Sequence, residues 1–244
     1  MKLSAVICAA ALMLTATAGL AVNCRDLVHE GSEYSVCEAD ASEDIRLFLR
    51  NEEGSILGQF STVNASLPPE ERLVFAMNAG MYHADRSPVG LYIENGDIEG
   101  KLLTGASDGN FGLLPNGVLC IAANRVDVVE TLTFKATSPN CRYATQSGPM
   151  LVINGRLHPR FLVDSTSRHF RNGVGTTADG KRVVFAISND KVTFHEFGRL
   201  FRDALGTPNA LFLDGKVSRL YAPELDRADP GFWLGPIVGI VENK

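Results

Sequence analysis

Four short segments hold the residue types that can do chemistry. Each ends an apolar run on a polar residue beside glycine: Met77-Asn78-Ala79-Gly80-Met81-Tyr82, Thr145-Gln146-Ser147-Gly148-Pro149, Arg168-His169-Phe170-Arg171-Asn172-Gly173 and Leu213-Asp214-Gly215. Glycine lets the backbone approach a ligand closely and leaves its N–H groups free to point at an anion. Arg171 adds a cation with a planar, two-pronged grip. Asp214 adds a carboxylate able to activate water or to attack carbon. Any one segment also reads as a simple turn. Four together read as one pocket in which an anion sits beside a carboxylate.

Other chemistries are excluded by single residues. The run Gly175 to Arg182 nearly spells a phosphate-binding loop, but Arg182 stands where Ser or Thr must hold magnesium, and a strand pattern follows. Gln146-Ser147-Gly148 lacks the glycines of a nucleophile elbow, since Thr145 and Pro149 occupy those places. His195-Glu196 is followed by Arg199 at the position of the second zinc-protease histidine. His29, His83, His158, His169 and His195 are otherwise scattered.

The elements that must position the four segments are mostly strands. Leu73 to Met77, Val118 to Ala122, Met150 to Ile153, Arg182 to Ile187, Ala210 to Leu213 and Ile237 to Val241 are short apolar runs. Asn95-Gly96, Asn154-Gly155 and Asp179-Gly180 lie between such runs and predict hairpins. One helix is clear: Thr193 and Glu196 make a capping box, Phe194, Phe197, Leu200, Phe201, Ala204 and Leu205 form one face, and Gly206 stops it. Pro68 to Arg72 reads as a single helical turn. These patterns predict an α+β fold: a largely antiparallel or mixed twisted β-sheet with hairpins and a few flanking helices.

The chain has 244 residues and a formal net charge of −5, with no dense Lys/Arg run, so a nucleic-acid partner is not expected. Lys2, the apolar run Leu3 to Leu20 and the small residues closing it predict a signal peptide over residues 1–21. Asn23 before Cys24 argues against lipidation. The remainder, 22–244, reads as one domain without a further membrane-spanning stretch, and the protein is expected to be exported, periplasmic or secreted. Removing the signal leaves Cys24, Cys37, Cys120 and Cys141. An even number in an exported chain predicts two disulfides. Of three pairings, proximity favours Cys24–Cys37 and Cys120–Cys141.

The ordered segments resemble the phosphodiester glycosidase family, in its bacterial exported branch. The resemblance rests on Met77 to Tyr82, Pro88-Val89-Gly90-Leu91, Ser147-Gly148-Pro149-Met150-Leu151, Arg171-Asn172-Gly173-Val174-Gly175 and Ala210 to Gly215. It implies cleavage of a sugar C1–O–phosphate bond. Asp214 would then be the base or nucleophile, Arg171 the phosphate grip and Asn78 an orienting amide. Gly80, Tyr82, Ser147, Gly148, Asn172, Gly215 and Ser218 would bind substrate. Tyr82 would stack on the sugar, His83 and His169 are weaker acid candidates, and Asp85 and Asp164 are unranked second carboxylates. The family often has two or three glycines and two serines after the aspartate. Here Lys216 and Val217 interrupt that pattern and Ser218 keeps one serine. A non-catalytic domain binding cell-envelope carbohydrate on the same scaffold is the alternative. No cofactor is expected, and a divalent metal stays open.

Overall fold

The computed structural model describes residues 21–215 and 217–244. The expected signal segment, apart from Ala21, and Lys216 lie outside the described residues. Along the chain come β1 (Asn23–His29), β2 (Ser32–Asp40), β3 (Asp44–Phe48), α1 (Phe60–Ser66), β4 (Glu71–Asn78), β5 (Tyr92–Glu94) and β6 (Asp97–Glu99). There follow β7 (Gly117–Ala122), β8 (Arg125–Glu130), α2 (Thr131–Thr137), β9 (Tyr143–Ser147), β10 (Met150–Ile153), β11 (Arg156–Leu157), β12 (Asn172–Thr176) and β13 (Arg182–Ser188). The last are α3 (Phe194–Arg199), β14 (Asn209–Asp214), β15 (Leu220–Ala222), β16 (Arg227–Ala228) and β17 (Ile237–Asn243).

The strands form three sheets. The first has the order β1-β2-β13-β12-β14-β10-β11, the second β16-β15-β4-β17-β3, and the third β6-β5-β9-β7-β8. Every pairing between named strands is antiparallel. The expected largely antiparallel sheet is thus present as three separate sheets, with no mixed pairing among the named strands. The tight turns explain this: Asn95-Gly96 and Asn154-Gly155 both take positive φ, the hairpin geometry their side chains tolerate. Glu30-Gly31 does the same between β1 and β2, a hairpin without an obvious turn signature.

The three sheets enclose one shared core. Val174, Phe185 and Leu211 come from the first sheet, Phe75, Met77 and Val238 from the second, and Leu119, Val128 and Tyr143 from the third. Each sheet's outer face is covered by one helix. Phe197 of α3 packs on Val184, Ala186 and Phe212, Phe60 and Val63 of α1 on Leu73 and Ala76, and Phe134 of α2 on Val118 and Ala144. Strands apolar on both faces are the consequence, which is why runs such as Val183 to Ile187 show no alternation.

Helix α3 has its capping box, with the Thr193 hydroxyl accepting from the Glu196 N–H and the Glu196 carboxylate from the Thr193 N–H. Its last turn, Leu200–Ala204, widens to π geometry before Gly206. Pro68 to Arg72 is not helical, which corrects the reading of that stretch. The helix lies just before it and ends at Leu67, held extended ahead of Pro68. Both disulfides, Cys24–Cys37 and Cys120–Cys141, are formed.

Candidate active site

The polar segments meet where one end of each sheet comes together. Side chains alternate along a strand, so Asn172, Val174 and Thr176 of β12 face the shared core, while Gly173 and Gly175 back onto α3. In β9, Tyr143, Thr145 and Ser147 share the inner face in the same way. Two hydrogen bonds join the sheets here, and a third fixes Asp214 within the first sheet. Thr145 Oγ1 donates to the Ala79 carbonyl at 2.8 Å, Ser147 Oγ to the Leu213 carbonyl at 2.9 Å, and the Asp214 N–H to Asn172 Oδ1 at 2.8 Å. Gly80 makes the first contact possible: its φ is +155°, and a Cβ there would lie 2.9 Å from Thr145 Oγ1.

A bulge aims Asp214. In β14, Phe212 pairs with Gly173 and packs against α3, so simple alternation would turn Asp214 toward the helix as well. Between Asn172 and Gly173 the register shifts by one residue, and Asp214 pairs with Asn172. Cross-strand partners share a face, so the extra residue, Leu213, returns Asp214 to the side of Asn172. Asn78 then fixes the chain that follows. Its amide donates to the Val217 carbonyl, and its Oδ1 accepts from the Arg219 N–H at 2.8 Å.

Asp214 remains partly exposed, yet the protein crowds its carboxyl enough to desolvate it. Burial pushes it up to about 6, while the Gly215 N–H, 2.6 Å from Oδ1, and the Asn78 side chain favour the charged form. Among the described residues no cation acts on it. It is thus ionised at neutral pH, poorly solvated and basic for a carboxylate.

Arg171 is turned away from Asp214, with its backbone paired to Ser188. Its side chain is 1% exposed and lies on the α3 side. Nε donates to the Val192 carbonyl at 2.9 Å and Nη2 to the Ser167 carbonyl at 3.2 Å, and the guanidinium sits 3.6 Å from the Phe194 ring centre. Burial lowers it to about 10, so it stays charged at neutral pH, and Glu196 is the one charge acting on it. Arg171→Lys is therefore expected to destabilise the fold by about 2–4 kcal/mol, through lost stacking and one lost charged hydrogen bond, with little change in KM. Urea unfolding beside steady-state kinetics checks this. Normal stability with a raised KM would return Arg171 to the substrate.

Ser218 Oγ donates to the Gly215 carbonyl at 3.0 Å and stiffens the turn after Asp214. Gly148 is packed against Asn116, whose Cβ lies 2.6 Å from where a Gly148 side chain would begin. Tyr82 is half-buried, and its hydroxyl donates to the Trp233 carbonyl at 3.4 Å. Its hydroxyl is pushed up by burial and, to a lesser extent, by the negative charge of Asp214. The other acids are otherwise engaged: Asp85 accepts from the Ser87 N–H and hydroxyl, and Glu196 pairs with Arg168. His83, Asp164 and His169 are exposed, and His169 is tied by its backbone to Val192. Among the described residues no three His, Cys, Asp or Glu side chains gather as metal ligands.

Sequence reasoning missed Arg219 and Trp233. The buried Arg219 guanidinium donates to the carbonyls of Asp229 and Phe232, holding the loop that carries the half-exposed Trp233 beside Tyr82. Neither residue belongs to a polar–glycine strand end or to the segments that carry the family resemblance.

Three antiparallel sheets around one core, with a desolvated carboxyl where they converge, define a β-rich protein that holds Asp214 at the sheet junction. The sequence profile of the phosphodiester glycosidase family matches residues 71–231. The Escherichia coli protein YigE is 34% identical over 180 residues, spanning 74% of this chain and 70% of YigE. The chain belongs to the phosphodiester glycosidase family. Its fold is similar to the catalytic domain of zebrafish N-acetylglucosamine-1-phosphodiester alpha-N-acetylglucosaminidase, solved auto-inhibited by its pro-peptide. The TM-score is 0.60 at 10% identity, over 90% of this chain and 81% of that one. A Synechocystis protein is similar at a TM-score of 0.53 and 13% identity, over 89% of this chain and 61% of that one. At these identities the likeness is one of fold.

Proposed function

We propose that the protein hydrolyses the sugar C1–O–phosphate bond of a glycosyl phosphodiester. The observation that carries this reading is Asp214, a desolvated carboxylate at the junction of three sheets, within the part of the chain that matches the family. A phosphodiester oxygen is a weak base and leaves with little protonation, so the site needs a base or nucleophile more than a strong acid. Ionised Asp214 takes a proton from water as the water adds to C1, and the C1–O electron pair departs with the phosphate monoester. Direct attack by Asp214 on C1 has the same requirement for the ionised carboxylate. Tyr82 offers an aromatic face to the sugar beside this point. The proposal includes export to the periplasm or beyond, where cell-envelope carbohydrate is the nearest source of such diesters. The two disulfides suit that oxidising setting. No helix among the described residues is long and apolar enough to cross a membrane.

The test is sugar release from a panel of glycosyl methyl phosphodiesters, followed across pH. Activity is expected to rise tenfold per pH unit on the acidic side and level off above about 6, as Asp214 loses its proton. A rate that instead falls through this range makes Asp214 an acid. Binding without release favours the carbohydrate-binding alternative.

A further inference from the structure

A guanidinium is the side chain best shaped to grip a phosphodiester, and the two buried arginines, Arg171 and Arg219, are already committed. Arg171 donates to Val192 and Ser167 carbonyls, and Arg219 to those of Asp229 and Phe232. Arg86 is different. It stands in a tight loop that leaves the site just after Gly80. The loop is closed by the Val89 N–H on the Met81 carbonyl at 3.0 Å, the His83 N–H on the Ser87 carbonyl at 2.8 Å and the Arg86 N–H on the His83 carbonyl at 2.9 Å. Asp85 reinforces it by accepting from Ser87. The loop is so determined that Arg86 is held at φ +73°, in the left-handed region that a long side chain avoids.

This strained backbone sets the Arg86 guanidinium over Tyr82, 5.4 Å from the ring centre. Arg86 is half-buried and forms no salt bridge among the described residues. Asn78, whose side chain bonds Asp214, ends the strand that runs into Tyr82, so the Tyr82 ring carries a cation without a salt-bridge partner on the loop leaving the strand end that holds the candidate base. A guanidinium can donate two parallel hydrogen bonds to phosphate oxygens, a geometry ammonium lacks.

We propose that Arg86 is the phosphate-binding residue of this site, gripping the non-bridging oxygens of the diester while the sugar lies along Tyr82 toward Asp214. The inference rests on the function proposed above and adds to it the residue that recognises the anion. Loop residues 81–89 thereby become the arm that selects a charged leaving group over a neutral one.

The experiment compares the full chain with Arg86→Asn and Arg86→Lys. Asn tolerates the left-handed backbone, so a loss of fold is not expected, and thermal unfolding confirms it. Dimethyl phosphate, a bare phosphodiester without sugar, is titrated by NMR. Expected is a loss of about tenfold or more in affinity for Arg86→Asn and a smaller loss for Arg86→Lys. Wild-type binding should also weaken with added salt. Equal affinity of wild type and Arg86→Asn, or no binding by the wild type, overturns the proposal. Sugar release from glycosyl methyl phosphodiesters is measured in parallel. Arg86-dependent binding without any release would support the anion site and end the hydrolase reading. Release by wild type with an unchanged KM in Arg86→Asn would do the reverse.

Discussion

Asp214→Asn is expected to leave a folded protein that binds its phosphodiester and turns it over about 100- to 10,000-fold more slowly. The substitution keeps size and leaves an oxygen for the Gly215 N–H, but removes charge and basicity. Both are needed chiefly in the transition state, so the loss appears in kcat with KM little changed. A second consequence separates this outcome from mere damage. The folded-state carboxyl is raised from 3.8 to about 6, so the native protein holds its proton more tightly than the unfolded chain. Stability therefore falls as pH rises between those values, and the whole penalty is present above them. Removing the carboxylate should stabilise the protein at neutral pH by about 1–3 kcal/mol, and by almost nothing near pH 4. Calorimetric melts at the two pH values, beside kcat and KM, read both effects. A slow variant that is also more stable is the signature of a reactive group held against its preference. A near-normal kcat would end the assignment of Asp214 as the catalytic carboxylate.

Loss of both disulfides is expected to remove most of the folding stability. Cys24–Cys37 joins directly paired residues of β1 and β2, and Cys120–Cys141 ties β7 to the segment entering β9. They close loops of 13 and 21 residues, for which chain entropy alone gives about 3 kcal/mol each. Their sum of about 6 kcal/mol is comparable with the whole stability of an ordinary domain. Breaking Cys120–Cys141 also loosens β9, which delivers Thr145 and Ser147 to the sheet junction. Denaturant unfolding with and without reductant, and of the Cys→Ala pairs singly, measures the effect. Unchanged midpoints after verified reduction would show that the sheets hold without these links.

The turns were legible because their chemistry is local. Asn95-Gly96 and Asn154-Gly155 need only their own φ preferences to make a hairpin, and the α3 capping box lies within four residues. Glu30-Gly31 escaped because only one of its two residues favours positive φ. Helix α2 escaped because it buries just Thr131 and Phe134, too few apolar positions to show a period.

The site divides along the same line. Sequence by itself determined which residues are polar beside glycine at strand ends, and so the identity of Asn78, Ser147, Asn172 and Asp214. What only the tertiary structure decided is direction. The bulge at Leu213 depends on how β14 pairs with β12, and nothing local to Leu213-Asp214-Gly215 encodes it. The shift toward about 6 arises from desolvation, a sum over neighbours brought from distant parts of the chain. Arg86 and Trp233 are functional candidates for the same reason. Their residue types are ordinary, and only the meeting of the 81–89 loop and the 229–235 segment at Tyr82 brings them together.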